Sequence, residues 1–297
     1  MRHAVIGGAG FIGHHIVNYL INRGDEVIVI DNLNTGVIEN INKQAIFHKL
    51  DIVYDDLKPV LQGVTNIYLT AALARVQPSI KDPISFNKVN VEGILQVLEA
   101  SRVVGVKRVI YSASSSAYGN AKIFPTPETA STNPLSPYGL QKYIGEQYCK
   151  LYSGLYGLDT VSLRYFNVYG EGMPLTGAYR TVISIFGEQF KNNKPLTITN
   201  DGNQCRDFTY VSDVVAANIL AGDYEDKLNG DVFNVGNGGN FSINEVASMF
   251  SDNIIYSEQR LEPMQTLADN SKLQNTFGWS PKGNLKQWIE QYKKSLI

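Results

Sequence analysis

The sequence is poor in the residues that mark several familiar protein classes. Cysteine occurs twice in 297 residues, as Cys149 and Cys205. Neither stands in a C-x-x-C pair or near a histidine cluster, which excludes a disulfide framework and a Cys/His zinc centre. The four histidines, His3, His14, His15 and His48, show no metal-ligand spacing, and no metal is expected. No run of about 18 apolar residues appears, as a membrane-crossing helix needs, and the apolar stretch at Met1–Ile6 is too short for a secretory signal. Charge of one sign is lacking too. The 26 Lys and Arg against 28 Asp and Glu leave a formal charge of −2, which gives no basic field for nucleic acid or an anionic membrane. The expectation is a soluble protein of the reducing cytoplasm with neither nucleic acid nor membrane as partner.

What is present is enough apolar content, 43%, for a core of one large or two closely joined domains. Short β-branched runs at Ala4–Ile6, Val27–Ile30, Ala45–His48, Asn66–Leu69, Arg108–Tyr111 and Thr160–Leu163 alternate with helical periods at Gly13–Asn22, Phe86–Val103 and Gly139–Tyr156. That alternation predicts an α/β fold, a doubly wound parallel sheet with ligands at the carboxyl ends of its strands. Beyond about residue 165 shorter elements punctuated by Gly, Asn and Pro follow, up to Asn200-Asp201-Gly202-Asn203. Ser212–Ala221 and Val232–Val235 read as a late return to the sheet, so the second unit is expected to be discontinuous.

Gly7-Gly8-Ala9-Gly10-Phe11-Ile12-Gly13 follows a strand and opens a helix. Glycines there let the chain turn sharply and approach a pyrophosphate, whose charge meets unpaired helix N–H groups. Gly7, Gly10, Phe11, Ile12 and Gly13 are therefore candidate contacts to a dinucleotide. Asp31 ends the second strand 18 residues after Gly13, where a carboxylate accepts bonds from both ribose hydroxyls and repels a 2′-phosphate. NAD is expected rather than NADP. Asn32 adjoins Asp31. Asp51 and Ile52, past the third strand, are placed for the adenine, and Ala71 and Ala72 offer small residues after the fourth.

Tyr138 and Lys142 lie four residues apart at the start of a helix, about 400° of rotation, and so share one face. An ammonium near a phenol lowers its pKa from about 10, as a general base at neutral pH requires. Ser114, in the run Ser112-Ala113-Ser114-Ser115-Ser116-Ala117-Tyr118-Gly119, sits just after the fifth predicted strand, where its hydroxyl can share a substrate proton with the phenol.

With these residues in place the chain resembles the extended short-chain dehydrogenase/reductases, and among them most of all the nucleotide-sugar 4-epimerases of the UDP-glucose 4-epimerase type. The landmarks run nearly end to end: the Gly7–Gly13 loop, Asp31-Asn32-Leu33, Ser114 before Tyr118-Gly119, Tyr138-x-x-x-Lys142, Arg164-Tyr165-Phe166-Asn167, and Arg206-Asp207-Phe208 with Asp213. The resemblance implies a Rossmann domain over residues 1–166 and about 209–236, binding NAD, and a smaller discontinuous α/β domain over about 167–208 and 237–297 for a nucleotide-diphosphate sugar. It implies that Tyr138 is the catalytic base, Ser114 its partner, and Lys142 the residue that tunes Tyr138 and holds the nicotinamide ribose. Asn90 and Tyr165 become cofactor neighbours and Ser115 a substrate neighbour. Asn167 and Arg206 face the diphosphate, chemistry that suits an amide and a guanidinium. Arg260 and Glu262 stand for the family's Arg-x-x-Asp, one residue short and with Glu for Asp, holding phosphate and ribose. Thr199 occupies a place where relatives stack an aromatic residue on the base, which a threonine cannot do. Uracil remains the default. Thr266 lines the hexose pocket, and its small side chain implies room for an N-acetylated sugar beside the plain one. Dehydratases and decarboxylases of the scaffold carry carboxylates where this chain has Ser115 and Ser116, which favours hydride-shuttling epimerisation over elimination. A simple reductase and a non-catalytic NAD sensor are the other readings. A homodimer through the two helices around Phe86–Val103 and Gly139–Tyr156 is also implied.

Overall fold

The computed structural model describes residues 1–175, 180–258 and 262–296. Six strands of a central sheet come early in the chain: β1 (Arg2–Ile6), β2 (Glu26–Ile30), β3 (Ile46–His48), β4 (Asn66–Leu69), β5 (Arg108–Ser114) and β6 (Asp159–Tyr165). Asp231–Val235 completes it as the seventh, in the lateral order Asp231–Val235, β6, β5, β4, β1, β2, β3. All neighbours pair in parallel. This is a Rossmann-like α/β sheet. β4, β5 and β6 are buried along their whole length, which is why such strands carry near-continuous rather than alternating apolar residues. The chain winds one way from β1 to β3 and the other way from β4 to β6. The crevice where the direction reverses lies between the ends of β1 and β4, the place where such sheets bind ligands.

Two cores flank the sheet. Helix α1 (Phe11–Asn22) and Val211–Asp223 cover one face through Ile16, Val17, Leu20, Val214 and Ala217. Ile94–Val104 and Pro137–Tyr156 cover the other through Ile94, Val97, Leu98, Cys149 and Tyr152. The expected single helix over Phe86–Val103 is broken: Pro83–Asn87 leads into a wide π turn, Lys88–Gly93, before Ile94–Val104. Two constraints meet in that turn. Asn90 is drawn inward by its amide, and Gly93 lies so close to Ile52 that a Cβ there would come within 2.7 Å of it.

A third cluster stands apart from the sheet. Ile183, Phe186, Leu196, Ile198, Phe208, Val246, Phe250 and Ile289 pack together, drawn from three helices and small two-stranded pairings. Leu196–Thr199 pairs in parallel with Ile254–Ser257, and Cys205–Asp207 antiparallel with Asn240–Ser242. Asp207 joins three separate stretches, accepting the backbone N–H of Asn237 at 2.7 Å, Ala268 at 3.0 Å and Gly238 at 3.1 Å. Among the described residues no helix is long and apolar enough to cross a membrane, and no His/Cys/Asp/Glu group could hold a metal ion.

Candidate active site

The glycine loop is built by close approach of backbone. Gly7, at φ 87°, leaves 2.5 Å between a would-be Cβ and the Ala71 nitrogen, and at Gly13 a Cβ would fall 2.2 Å from the Gly7 oxygen. Ala71 N–H donates to the Ile6 carbonyl at 2.8 Å, which binds the loop after β4 to the end of β1. Gly10 caps α1 without any side-chain bond to the first turn, so that turn presents backbone N–H groups to an anion. Asp31 is buried, and its two oxygens accept Ala9 N–H at 3.0 Å and Leu33 N–H at 2.8 Å. An ionised carboxylate has about four acceptor positions, so both oxygens keep capacity for a diol. Loop, helix end and acid together fit a dinucleotide.

Other expected cofactor contacts have structural duties here. Ile52 is buried in the core, which leaves Asp51 as the residue available to an adenine. Its carboxylate accepts the Asn32 amide and the Val53 N–H, both at 2.8 Å. Asn90 is fully buried and clamps the loop after β4, donating to the Leu73 carbonyl at 2.8 Å and accepting the Leu73 N–H at 2.9 Å. The Tyr165 side chain points away from the helix that carries Tyr138. It lies in the core under α1 and Val211–Asp223, its hydroxyl bonded to Ser112 Oγ at 3.0 Å and to the Asn218 amide. The alternation of side chains along β6 explains this, so only backbone of Tyr165 reaches the strand end. Phe11 and Ile12 are half-buried against the two neighbouring cores.

Tyr138 occupies the first turn of Pro137–Tyr156. The turn is fixed by Pro137 and by Ser136, whose hydroxyl accepts the Gly139 N–H at 3.1 Å. Ser114 is the last residue of β5 rather than the first beyond it, and its hydroxyl accepts the Ser116 N–H at 3.1 Å. Ser115 begins a single 3-10 turn. The strand end and the helix start come close together here, a Cβ on Gly139 falling 2.7 Å from the Ser116 carbonyl. Burial holds the Tyr138 phenol above its ordinary range, and the Ser114 hydroxyl and the Arg75 charge pull it back down. The expected partner of the phenol, Lys142, is engaged elsewhere. Its Nζ donates to the Ser112 carbonyl at 2.8 Å and lies 4.9 Å from the centre of the Tyr111 ring. Sharing a helix face fixes the Cα positions, but the lysine stem runs inward to β5, and burial brings its pKa down to about 8.

On the opposite wall, Asn167 Nδ2 donates to the Asp207 carbonyl at 2.8 Å and to Thr266 Oγ1 at 3.2 Å. Thr266 Oγ1 also accepts the Asp207 N–H at 3.1 Å. Arg206 and Glu262 form an ion pair at 2.5 Å, and Asn200, Gln204 and Thr199 donate to the same carboxylate. Both arms of the Arg206 fork are therefore held before any ligand arrives, the second donating to the Cys205 carbonyl at 2.8 Å. Arg260 lies outside the described residues.

A model of the NAD-dependent epimerase/dehydratase family matches residues 3–236. The chain belongs to that family. NAD is its cofactor, and its relatives act on nucleotide sugars. UDP-glucose 4-epimerase of Mycolicibacterium smegmatis is 34% identical over 97% of this chain and 96% of its own length. The crystal structure of Thermotoga maritima UDP-glucose 4-epimerase with UDP-glucose shares 36% identity and covers both chains fully, with a TM-score of 0.94. A UDP-N-acetylglucosamine 4-epimerase from Methanobrevibacter ruminantium, in complex with UDP-N-acetylmuramic acid, shares 34% over 99% of this chain and 96% of that one, with a TM-score of 0.91.

For this member of the epimerase/dehydratase family, motif reading missed two features of the site's surroundings. One is the buried pair of Arg164 and Glu146 at 2.7 Å, which joins β6 to the helix carrying Tyr138, the guanidinium resting 4.5 Å from the centre of the Tyr118 ring. Its signal was weak, since Glu146 reads as an ordinary polar position of an amphipathic helix. The other is Arg75, whose φ of 89° no sequence rule assigns to arginine.

Proposed function

We propose that this enzyme interconverts a nucleotide-diphosphate hexose and its 4-epimer, with UDP-glucose and UDP-galactose as the first pair and the N-acetylhexosamine pair as a second. The observation that carries the reading is the meeting of the Ser114 end of β5 with the helix start that holds Tyr138, where a Cβ on Gly139 would come within 2.7 Å of the Ser116 carbonyl, with hydroxyls rather than carboxylates at Ser115 and Ser116. Tyr138 takes the proton of the sugar 4-hydroxyl at its phenolic oxygen and later returns one to the opposite configuration. Ser114 donates to the same sugar oxygen and steadies the charge that develops there. NAD, when bound, accepts a hydride from the sugar and gives it back, so the sugar passes through a 4-keto form. Gly7, Gly10 and Gly13 admit the pyrophosphate, Asp31 receives the ribose, and Lys142 turns from the Ser112 carbonyl to the nicotinamide ribose.

Residues 1–166 and about 209–236 would carry NAD, and about 167–208 with 237–297 would close on the nucleotide sugar, a division supported by the separate cluster around Phe186 and Phe250. Asn167 and Arg206 serve the diphosphate, with Glu262 fixing the angle of Arg206 as well as meeting the nucleoside ribose. Incubation with a panel of UDP-sugars tests the reaction, read as conversion to 4-epimers without net NADH. Tyr138→Phe should lower turnover by at least about a hundredfold while NAD still binds, since only the proton acceptor is removed. Turnover within tenfold of the parent takes the role from Tyr138, and stoichiometric NADH release makes the enzyme a reductase.

A further inference from the structure

Tyr138 is the second residue of its helix, and Pro137 before it has no N–H. The first turn therefore carries two backbone donors, on Tyr138 and Gly139, that the helix itself does not satisfy. Gly139 uses Ser136 at the start of the same helix. Tyr138 uses Ser79, 59 residues away, whose hydroxyl accepts its N–H at 3.1 Å. The same hydroxyl donates to the Val76 carbonyl at 2.7 Å, which turns its lone pairs toward Tyr138. Ser79 is fully buried, where an unmet N–H is costly. It belongs to a short helix, Val76–Lys81, that continues the loop after β4. That loop abuts the glycine loop at Ala71 and is clamped at Leu73 by Asn90. Asn90 also donates to the Gln141 amide oxygen at 3.2 Å, and Gln141 Nε2 donates to the Pro83 carbonyl at 3.3 Å. One segment, residues 71–83, thus touches the cofactor loop at one end and holds the first turn of the Tyr138 helix at the other.

We propose that Ser79 is a positioning residue for the reaction: by bonding the backbone of Tyr138 it sets the place of the phenol relative to the cofactor loop. The proposal rests on Tyr138 being the base. Removing a proton from the sugar hydroxyl while a hydride leaves the adjoining carbon requires base and cofactor to be in register, and a misplacement of about 1 Å can cost about a hundredfold in rate. Being fully buried, Ser79 acts through Tyr138 and not on the sugar. The helix that carries the base is 20 residues long, and its far end is held by a matching device. Ser153 accepts the Thr160 N–H at 3.1 Å and donates to the Leu158 carbonyl at 2.7 Å. Two serines thus make the same pair of bonds at opposite ends of one helix, and of these only Ser79 acts on the turn with the base.

The test compares Ser79→Ala with Ser153→Ala in the NAD-loaded enzyme, each with and without Tyr138→Phe, on the UDP-sugar that the parent converts fastest. Turnover is expressed per bound NAD, so that any loss of folded protein is divided out. Ser79→Ala should lower kcat by about tenfold or more while KM changes by less than about twofold. Ser153→Ala removes the same two bonds and should keep kcat within about twofold of the parent. Added to Tyr138→Phe, Ser79→Ala should cost less than about a further twofold, because residues that act as one unit are not additive. Ser79→Cys, close in size but a weak acceptor, should show the same pattern and reports where alanine fails to fold. Equal losses from the two serines, a loss that multiplies with that of Tyr138→Phe, or less bound NAD with kcat unchanged overturns the proposal. Failure of the base reading looks different: Tyr138→Phe alone would then leave turnover within about tenfold of the parent.

Discussion

Thr266 concentrates the specificity question in one side chain. Its hydroxyl accepts from the Asn167 amide and the Asp207 backbone, so it braces the two segments proposed to face the sugar diphosphate while adding little bulk of its own. Room beside a small residue excludes nothing, and a bulky one there would reject the larger sugar. Thr266→Tyr should cut kcat/KM for UDP-N-acetylglucosamine by about a hundredfold and for UDP-glucose by less than about tenfold. Thr266→Ser, which keeps the hydroxyl, should leave the ratio of the two near that of the parent. Steady-state kinetics on both sugars decides it. Equal losses on both substrates with tyrosine would mean that the brace matters and the bulk does not.

At the scale of the element, two glycines in helices predict opposite outcomes for the same substitution. Gly13 in α1 lies against the Gly7 backbone, where a Cβ would meet oxygen at 2.2 Å, whereas a Cβ at Gly154 in Pro137–Tyr156 would meet nothing within 4 Å. Gly13→Ala must push α1 off the loop, so NAD affinity should fall by more than about tenfold and stability by about 1–3 kcal/mol. Gly154→Ala should raise stability by about 0.5–1 kcal/mol, because an exposed helical alanine loses less entropy than glycine. Denaturant midpoints and NAD titration measure both. The strand–loop–helix unit around Gly13 was legible in the sequence because its signals are local: β-branched residues, spaced glycines, then a helical period. Asn90 and Tyr165 were legible as positions but not as roles. Which way a side chain turns at a π turn or a strand end depends on partners such as Leu73 and Asn218, which are remote in sequence. Lys142 shows the same limit, since helical spacing set its face and β5 set its reach. Arg75 was invisible because its backbone conformation is imposed by the fold around it.

For the whole molecule, the paired helices Ile94–Val104 and Pro137–Tyr156 pose a packing problem. Their inner sides fill the core, yet Val103, Leu140, Leu151, Leu155 and Tyr156 remain exposed, Leu155 at 65% and Tyr156 at 53%. Single exposed apolar residues are ordinary, but several along one two-helix surface signal association. A second copy of this chain is the occupant we propose, because one isologous contact covers the same patch on both partners and no charged field opposes it, the net charge being −2. A stable pairing of this kind buries about 1,600 Å² in total, which two helices from each partner can supply. The mass in solution should be twice the 32.9 kDa of the chain. Leu151→Glu with Leu155→Glu should halve it while circular dichroism and NAD binding persist, since both side chains face away from the sheet and the cofactor loop. A monomer mass for the parent at micromolar concentration rejects the dimer. A double variant that keeps the parental mass moves the contact to another face. Asn90 lies in the π turn just before Ile94–Val104, and Tyr138 in the first turn of Pro137–Tyr156. Pairing would therefore stiffen the frame that aims the site, and the monomeric variant should lose activity at lower temperature than the parent, a difference that thermal inactivation assays read directly.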